Sequence, residues 1–267
     1  MKELKLAVIG KDVSESTSPQ AHAFIAKEMG NKVDYTKISL SENEFNSKIG
    51  GILERFDGFN VTIPYKLAII PYLKKICGDA EIYGAVNTVT TRDLCGYNTD
   101  GSGFVMMIEN NAIDVNGKEV LVLGAGGAGR SVSKKLLDCG AKVCVYDRFE
   151  DSATKLSEEF EGILPIKKII DKPYYLIVNA TGVGMHKTVG QSPVGDKLIS
   201  LCDVAVDLIY TPKKSRFLEI AETYGKKAVN GEGMLFYQAY FSECIYFGVK
   251  PDNRQAEELF KKYGREK

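Results

Sequence analysis

Tryptophan is absent from this chain, and histidine nearly so, with only His22 and His186. Neither histidine clusters with cysteine, so a zinc centre has no donor set and no metal is expected. The six cysteines, Cys77, Cys95, Cys139, Cys144, Cys202 and Cys244, stand singly, and no CxxC pair occurs. A disulfide framework is therefore improbable, and free thiols in a reducing cytoplasm are the expectation. An excess of charge of either sign is missing too: 35 basic and 35 acidic residues give a formal net charge of zero. Nucleic-acid and membrane-surface binders usually carry a basic excess, so neither partner is expected. No apolar run approaches the roughly 18 residues of a spanning helix, and the opening MKELKLAVIGKDV reads as no signal peptide. Internal repeats and low-complexity stretches are also lacking. What remains suits a globular chain: 44% of 267 residues are hydrophobic, enough for two modest domains with real cores.

Glycine is concentrated where it matters most, in KEVLVLGAGGAGR, Lys118 to Arg130. Val120 to Leu123 reads as a buried parallel strand, and Arg130 to Cys139 carries Val132, Leu136 and Leu137 at helical spacing. Strand, glycine turn and helix form the phosphate-binding corner of a Rossmann unit. Gly124, Gly126 and Gly129 fit its fingerprint, with Ala125, Gly127 and Ala128 completing the loop. Glycine lets the backbone turn tightly and approach a pyrophosphate, while the helix N-terminus offers free N–H groups to the anion. A second strand, Lys142 to Tyr146, ends in Asp147, near the offset of a ribose-binding acid.

Elsewhere the residues leave alternatives open. Lys5 to Gly10 reads as a strand, and Ser18-Pro19 as a helix cap and first position, with the helix over Pro19 to Met29. Ser16 and Ser18 could cap that helix or hold a carboxylate beside its N-terminus. Val33 to Ile38 suggests a strand and Glu42 to Phe56 a helix weakened by Gly50 and Gly51. In Gly58 to Lys66, apolar Phe59, Val61 and Ile63 alternate with Asn60 and Thr62; Pro64 then starts a helix, leaving Lys66 at its N-terminus. A cation there opposes the helix dipole, a mild sign of function beside the plainer reading of a solvated lysine. Asn87 interrupts the apolar strand Ala85 to Val89 and needs partners. Asp100 either caps a helix beginning near Gly103 or serves as an acid at a cleft mouth. Gly101 to Gly117 reads as a bridging helix. Tyr174 to Asn179 and Asp203 to Ile209 read as parallel strands, Lys213 to Tyr224 and Glu232 to Gly248 as helices. The last is apolar nearly all round and so must be buried, with Gln238 inside it.

Taken together, these motifs resemble the shikimate dehydrogenase family over nearly the whole chain. The resemblance rests on Ser16-Thr17-Ser18-Pro19, Asn60 to Lys66, Gly84 to Thr88, Asn98 to Gly101, the glycine loop, Asn179-Ala180-Thr181, Asp207 with Tyr210 and Pro212, and Gly233-Met234-Leu235 with Gln238. It implies two α/β domains with a cleft between them. A substrate domain over 1–100 is completed by C-terminal helices at 232–267, and a Rossmann domain binds NADP over 101–231. It implies reversible NADPH-dependent reduction of 3-dehydroshikimate to shikimate by a cytoplasmic monomer or homodimer. Lys66 and Asp100 would be the catalytic pair, Ser16 and Ser18 would hold the substrate carboxylate with help from Tyr210, and Asn60, Thr62, Asn87, Asp100 and Gln238 would bind ring hydroxyls. The cofactor would meet Gly124 to Gly129, Asp147, Arg148, Asn179, Thr181, Gly231 and Met234. A lysine beside the ketone stabilises developing oxygen charge and donates the proton, so no metal is needed.

One departure bears on the cofactor. Where the family usually shows an Asn-Arg-Thr run, this chain has Asp147-Arg148-Phe149. Arg148 suits a 2′-phosphate, whereas Asp147 repels it and suits the free ribose of NAD. NADP is expected, and the nearest alternative is a quinate/shikimate dehydrogenase that uses NAD. A non-catalytic cofactor sensor would be expected to lose Lys66 or Asp100, and both are present.

Overall fold

Alternation along β1 (Glu3–Gly10) decides where that strand lies. Leu4 and Leu6 join an apolar cluster with Tyr246, whereas Ala7 and Ile9 join another with Phe45, Phe59 and Val61. A strand with apolar side chains on both faces belongs inside a sheet that is covered on both sides. The computed structural model describes residues 2–266 and places β1 within such a sheet. After it come α1 (Ser18–Glu28), β2 (Lys32–Ser39), α2 (Glu42–Arg55), β3 (Gly58–Val61), a 3-10 turn at Ile70–Tyr72, β4 (Lys75–Ile76), α3 (Asp79–Tyr83), β5 (Thr88–Thr90), β6 (Cys95–Tyr97) and α4 (Asp100–Asn110). The chain continues through β7 (Glu119–Leu123), α5 (Gly127–Asp138), β8 (Lys142–Tyr146), α6 (Glu150–Glu159), β9 (Leu164–Pro165) and β10 (Tyr174–Asn179). It ends with α7 (Asp196–Ser200), β11 (Cys202–Asp207), α8 (Arg216–Thr223), β12 (Lys227–Val229), α9 (Glu232–Phe247) and α10 (Asn253–Glu266).

Two compact units result, Met1–Met106 with Leu235–Lys267, and Met107–Met234. The divisions fall inside α4 and α9, after Met106 and Met234. No helix among the described residues is long and apolar enough to cross a membrane.

The first unit has a mixed sheet in the order β2-β1-β3-β5-β6-β4. β1 pairs with β2 and β3 in parallel, and β5 runs antiparallel to both β3 and β6. On one face α2 contributes Phe45, Ile49 and Ile52 to the core. An aromatic group from α1, α9 and α10, with Phe24, Phe236, Phe260 and Tyr263, packs together through tilted ring pairs at 5.1–6.2 Å. The second unit has a fully parallel sheet, β12-β11-β10-β7-β8-β9. Its strand order reverses at β7, where an open α/β sheet leaves a crevice beyond the strand C-termini. Leu198, Ile199, Phe217 and Ile220 from α7 and α8 pack with Leu121, Leu123 and Ile177 of the sheet.

Several local expectations are corrected. Pro64 starts no helix: Ile63-Pro64 is a cis peptide, and residues 64–69 form turns ahead of the 3-10 segment. Ser18 is not the cap of α1 but its first residue; Thr17 occupies the cap, and no side chain there bonds the first turn. β3 is buried at all four positions instead of alternating in and out. The bridging helix stops at Asn110 instead of reaching Gly117. The strand expected over Ala85 to Val89 begins only at Thr88, so Asn87 sits just outside it. α8 starts at Arg216 because Ser215 caps it, accepting from the Leu218 N–H. Gly50 and Gly51 do not break α2; the helix is anchored by a full capping box between Ser41 and Glu44. Ser41→Ala removes the half made by the hydroxyl and keeps the backbone N–H bond to Glu44, and should lower stability by about 1 kcal/mol. Chemical denaturation checks this; an unchanged midpoint would show that the hydroxyl half contributes nothing.

Candidate active site

The turn after β3 is pinned by aromatic packing. Tyr65 stacks on Phe45 with ring centroids 4.3 Å apart, and its hydroxyl donates to the Leu40 carbonyl at 2.5 Å. Ile69 is fully buried, while Ile63 and Leu67 remain exposed. The Lys66 carbonyl accepts from the Val86 N–H at 2.8 Å, which ties the turn to the segment leading into β5. Between these anchors Lys66 extends toward the first residue of α4, and its ammonium donates to Asp100 Oδ2. The two side chains are only 12% and 9% exposed, so the pair is largely withdrawn from water. Such a pair keeps both charges only if the remaining polar atoms are satisfied.

Asn87 supplies that partner. Its Nδ2 donates to Asp100 Oδ1 at 2.8 Å and to Thr99 Oγ1 at 3.0 Å. Its Oδ1 accepts from the Thr99 N–H at 2.9 Å and the Thr88 hydroxyl at 2.9 Å. A backbone N–H can only donate, so the amide orientation is fixed. Gln238, on α9, brings its Oε1 to 3.5 Å from Asn87 Nδ2 and donates from Nε2 to the Leu235 carbonyl at 2.9 Å. Asn60 is more deeply committed. Its Nδ2 faces the Asn87 carbonyl at 3.1 Å, Thr88 Oγ1 at 3.1 Å and Ser242 Oγ at 3.2 Å, and its Oδ1 accepts from Tyr35 at 2.7 Å and Tyr246 at 3.1 Å. No donor or lone pair of that amide is left for a ring hydroxyl. Thr62, just past β3, is half-buried, and its N–H donates to the Ile9 carbonyl at 2.8 Å.

Ser16 and Ser18 lie together at the N-terminus of α1. The Ser16 hydroxyl donates to Ser18 Oγ at 3.0 Å and accepts from the Ser18 N–H at 3.3 Å. Neither caps the helix, and its first turn holds no acidic residue. Two hydroxyls beside an uncapped helix start can receive a carboxylate.

The second unit presents the glycine loop at the switch point of its sheet. Gly124 adopts φ +103°, and a Cβ there would meet the Ala180 carbonyl oxygen at 3.0 Å. A Cβ on Gly129 would sit 2.0 Å from the Gly124 carbonyl oxygen, so only glycine lets the helix start pack onto the loop. Gly126 opens onto free space, and α5 begins without a side-chain cap or an acid in its first turn. These features fit a pyrophosphate: uncapped N–H groups, room for the anion and no repelling carboxylate. The loop also includes Ala125, Gly127 and Ala128. Asp147 braces it, accepting from the Ala125 N–H at 2.7 Å and from the Phe149 N–H at 2.9 Å. Each carboxylate oxygen keeps a further lone pair. The Arg148 guanidinium lies over the Phe149 ring, 4.7 Å from its centroid. Beyond β10, Asn179 accepts from the Thr181 N–H at 3.0 Å and its hydroxyl at 2.6 Å, so its own amide shapes the loop. Gly231 packs against the Leu208 backbone, where a Cβ would lie 2.1 Å from the carbonyl oxygen, and Met234 is buried. Tyr210 follows β11 in this same unit, whereas Ser16 and Ser18 belong to the first.

Asp207 carries the least legible role. It is fully buried and accepts from Asn179 Nδ2 at 3.0 Å, the Ile209 N–H at 3.0 Å and the Ser215 hydroxyl. An acid ending an apolar parallel strand is its only sequence signal. Burial pushes its carboxyl up to about 6, against the three hydrogen bonds that favour the charged form. A folded pKa above the unfolded one means that the folded chain holds the proton more tightly. Between about pH 4 and 6 stability therefore falls as pH rises. Asp207→Asn should remove that slope, worth on the order of 3 kcal/mol across the window. Urea denaturation of both proteins at several pH values measures it, and parallel curves would refute the assignment.

A parallel sheet with a glycine loop at its switch point, joined to a separate α/β unit holding a buried lysine–carboxylate pair, defines a dinucleotide-binding dehydrogenase. The comparisons with known proteins narrow the class. A family model, the shikimate dehydrogenase substrate binding domain, matches residues 8–89. Shikimate dehydrogenase (NADP(+)) from Carboxydothermus hydrogenoformans is 36% identical over 262 residues, covering 93% of this chain and 94% of its own length. The crystal structure of shikimate dehydrogenase 1 from Peptoclostridium difficile is 34% identical, with a TM-score of 0.88 over 97% of each chain. That of the Thermus thermophilus shikimate 5-dehydrogenase, in complex with NADP(H) and shikimate, is 34% identical, with a TM-score of 0.86 over 97% of this chain and 99% of that one. This chain belongs to the shikimate dehydrogenase family.

Proposed function

We propose that the chain catalyses the reversible NADPH-dependent reduction of 3-dehydroshikimate to shikimate, on the route to chorismate and the aromatic amino acids. The observation that carries the site assignment is the Lys66–Asp100 pair, nearly buried and held on its second oxygen by Asn87. When bound, the nicotinamide cofactor supplies the hydride. The chain's residues then manage charge and position. As the ketone oxygen gains negative charge, the Lys66 ammonium stabilises it and delivers a proton. Asp100 holds that ammonium in place and accepts a substrate hydroxyl. Thr62 and Gln238 recognise other ring hydroxyls, and an analogue lacking one would leave a buried polar group unpaired; Asn87, whose donors and lone pairs are taken within the protein, holds Asp100 for this contact instead of binding a hydroxyl itself. Ser16 and Ser18 receive the carboxylate beside the start of α1.

Gly124 to Gly129 receive the pyrophosphate, and Arg148 pairs with the 2′-phosphate of NADP. Asn179, Thr181, Gly231 and Met234 shape the rest of that surface. Asp147 has a reason to be present other than NAD: it braces the glycine loop through Ala125 and Phe149. The relatives that carry NADP(+) in their names support the same choice, and the NAD-dependent quinate reading is not favoured. Cytoplasmic placement belongs to the same proposal and is supported by six free thiols.

Initial rates of shikimate oxidation, with NADP and NAD and with quinate as rival substrate, test the reading. Shikimate with NADP should dominate, and Lys66→Ala should lower kcat by about 10²- to 10⁴-fold. Comparable rates with quinate and NAD would move the chain to the rival group. Arg148→Ala should raise KM for NADP by about tenfold and leave KM for NAD within about twofold. Equal losses with both cofactors would remove Arg148 from the selectivity site.

A further inference from the structure

We infer that Asn60 is a positioning residue, acting through Thr88 to hold in place the Asn87 amide, whose orientation the Thr99 N–H fixes, and hence the Asp100 carboxylate, and that it does not bind a substrate hydroxyl. The inference rests on the reading of Lys66 and Asp100 as the catalytic pair.

The sheet register brings the parts together. Asn60 of β3 pairs directly with Thr88 of β5, so their side chains share a face. On that face Gln238, Ser242 and Tyr246 of α9 recur at intervals of four, a single stripe along the helix. Asn60 is 6% exposed and Thr88 fully buried, so every polar atom there needs a partner inside the protein. The Asn60 oxygen faces two phenols, Tyr35 at 2.7 Å and Tyr246 at 3.1 Å. Burial holds both phenols well above the ordinary tyrosine range, so both remain hydrogen-bond donors. The oxygen end of the amide is thus fixed, and its nitrogen must point at Thr88 and at the Asn87 carbonyl.

A directional chain of hydrogen bonds follows. The Asn60 nitrogen donates to Thr88 Oγ1 at 3.1 Å, and the Thr88 hydroxyl donates to Asn87 Oδ1 at 2.9 Å. With its oxygen occupied, Asn87 turns its nitrogen to Asp100 Oδ1 at 2.8 Å. The other oxygen of Asp100 receives Lys66. The Thr88 hydroxyl also lies 2.8 Å from Ser242 Oγ, so α9 shares in holding the middle of the relay. A second clamp acts on the backbone, because Asn60 also holds the Asn87 carbonyl. His22, stacked on Tyr35 at 4.5 Å and bonded to the buried Glu243 at 2.5 Å, backs the same face.

The experiment is steady-state kinetics on Asn60→Ala, Thr88→Val, Thr88→Ser and the Asn60→Ala/Thr88→Val pair, each compared with wild type by thermal melt. Asn60→Ala and Thr88→Val should each lower kcat on the order of tenfold or more, with KM for shikimate within about twofold. Thr88→Ser keeps the hydroxyl and should restore most of the rate. The double variant should be no slower than the worse single one, since both break one relay. The loss from Asn60→Ala should also be the same fold for shikimate and for analogues lacking one ring hydroxyl. A rise in KM with kcat retained, a loss that vanishes for one analogue, or fully additive losses would overturn the inference. If Asn60→Ala does not fold, the Thr88→Val and Thr88→Ser contrast decides alone: equal rates overturn it. Wild-type inactivity on shikimate would remove the proposed function, and this inference with it, before any variant is compared.

Discussion

A carboxylate withdrawn from water must be met at both oxygens, and the first unit is arranged around that demand at Asp100. Lys66 answers one oxygen and Asn87 the other. An amide used in this way creates new demands, because its own oxygen and carbonyl must also be satisfied. Thr99, Thr88 and Asn60 take them up, and Ser242 closes the set by donating to the Gln238 carbonyl at 2.9 Å. The network ends only where groups have a single role left: a backbone N–H, backbone carbonyls and two phenols. Every strand that contributes to it is held in register by the same sheet, so the position of the Asp100 carboxylate follows from the packing of β3, β5 and α9.

The second unit meets a related demand differently. Asn179 and Asp207 repeat the amide–carboxylate contact of Asn87 and Asp100, at 3.0 Å. There the remaining partners are neutral, a serine hydroxyl and a backbone N–H, and burial pushes the carboxyl up to about 6. A lysine makes the first arrangement an ion pair; without a cation the second remains a joint that fixes the loops beyond β10 and β11. The cofactor loop itself depends on what is missing. Gly129 brings the helix start against Gly124 because no Cβ intervenes, and the first turn of α5 carries no acid to compete for its N–H groups.

Much of this was legible in the sequence. Strand periodicity and the glycine loop located the parallel sheet, and β8 and β10 begin and end where the apolar runs do. Less legible were elements fixed by tertiary contacts. The segment after Pro64 has the composition of a helix start, yet Tyr65 and Ile69 bury themselves and hold it as turns. The two-residue strands β4 and β9 carry too few residues for a period to emerge. Among the candidate site residues, Lys66, Asn87, Asp100 and Gln238 come together in the first unit, while the serines at 16 and 18 share a separate hydrogen bond. Thr88, Ser242, Tyr35 and Tyr246 gave no local signal, because a buried hydroxyl reads from sequence like any other.

Asn60 shows why a motif alone does not separate a residue with free polar atoms from one whose polar atoms are all taken within the protein. In the run from Asn60 to Lys66, Asn60 and Thr62 stand two apart and so share a face of the chain. Only the partners of that face distinguish them. β3 pairs in parallel with β1, so that Asn60 stands beside Val8 and Phe59 beside Ala7. Phe59 enters the core with Phe45 and Ile49, while Gly58, on the Asn60 side, would meet the Tyr246 ring at 2.6 Å if it had a Cβ. Asn60 is therefore turned toward α9. A slip of one residue would reverse the faces and bury its amide among Phe45, Ile49 and Ile52, where no hydrogen-bonding partner awaits it. The polar network thus selects the register as much as the apolar core does, and the same register that stabilises the sheet delivers the amide of Asn87 to Asp100.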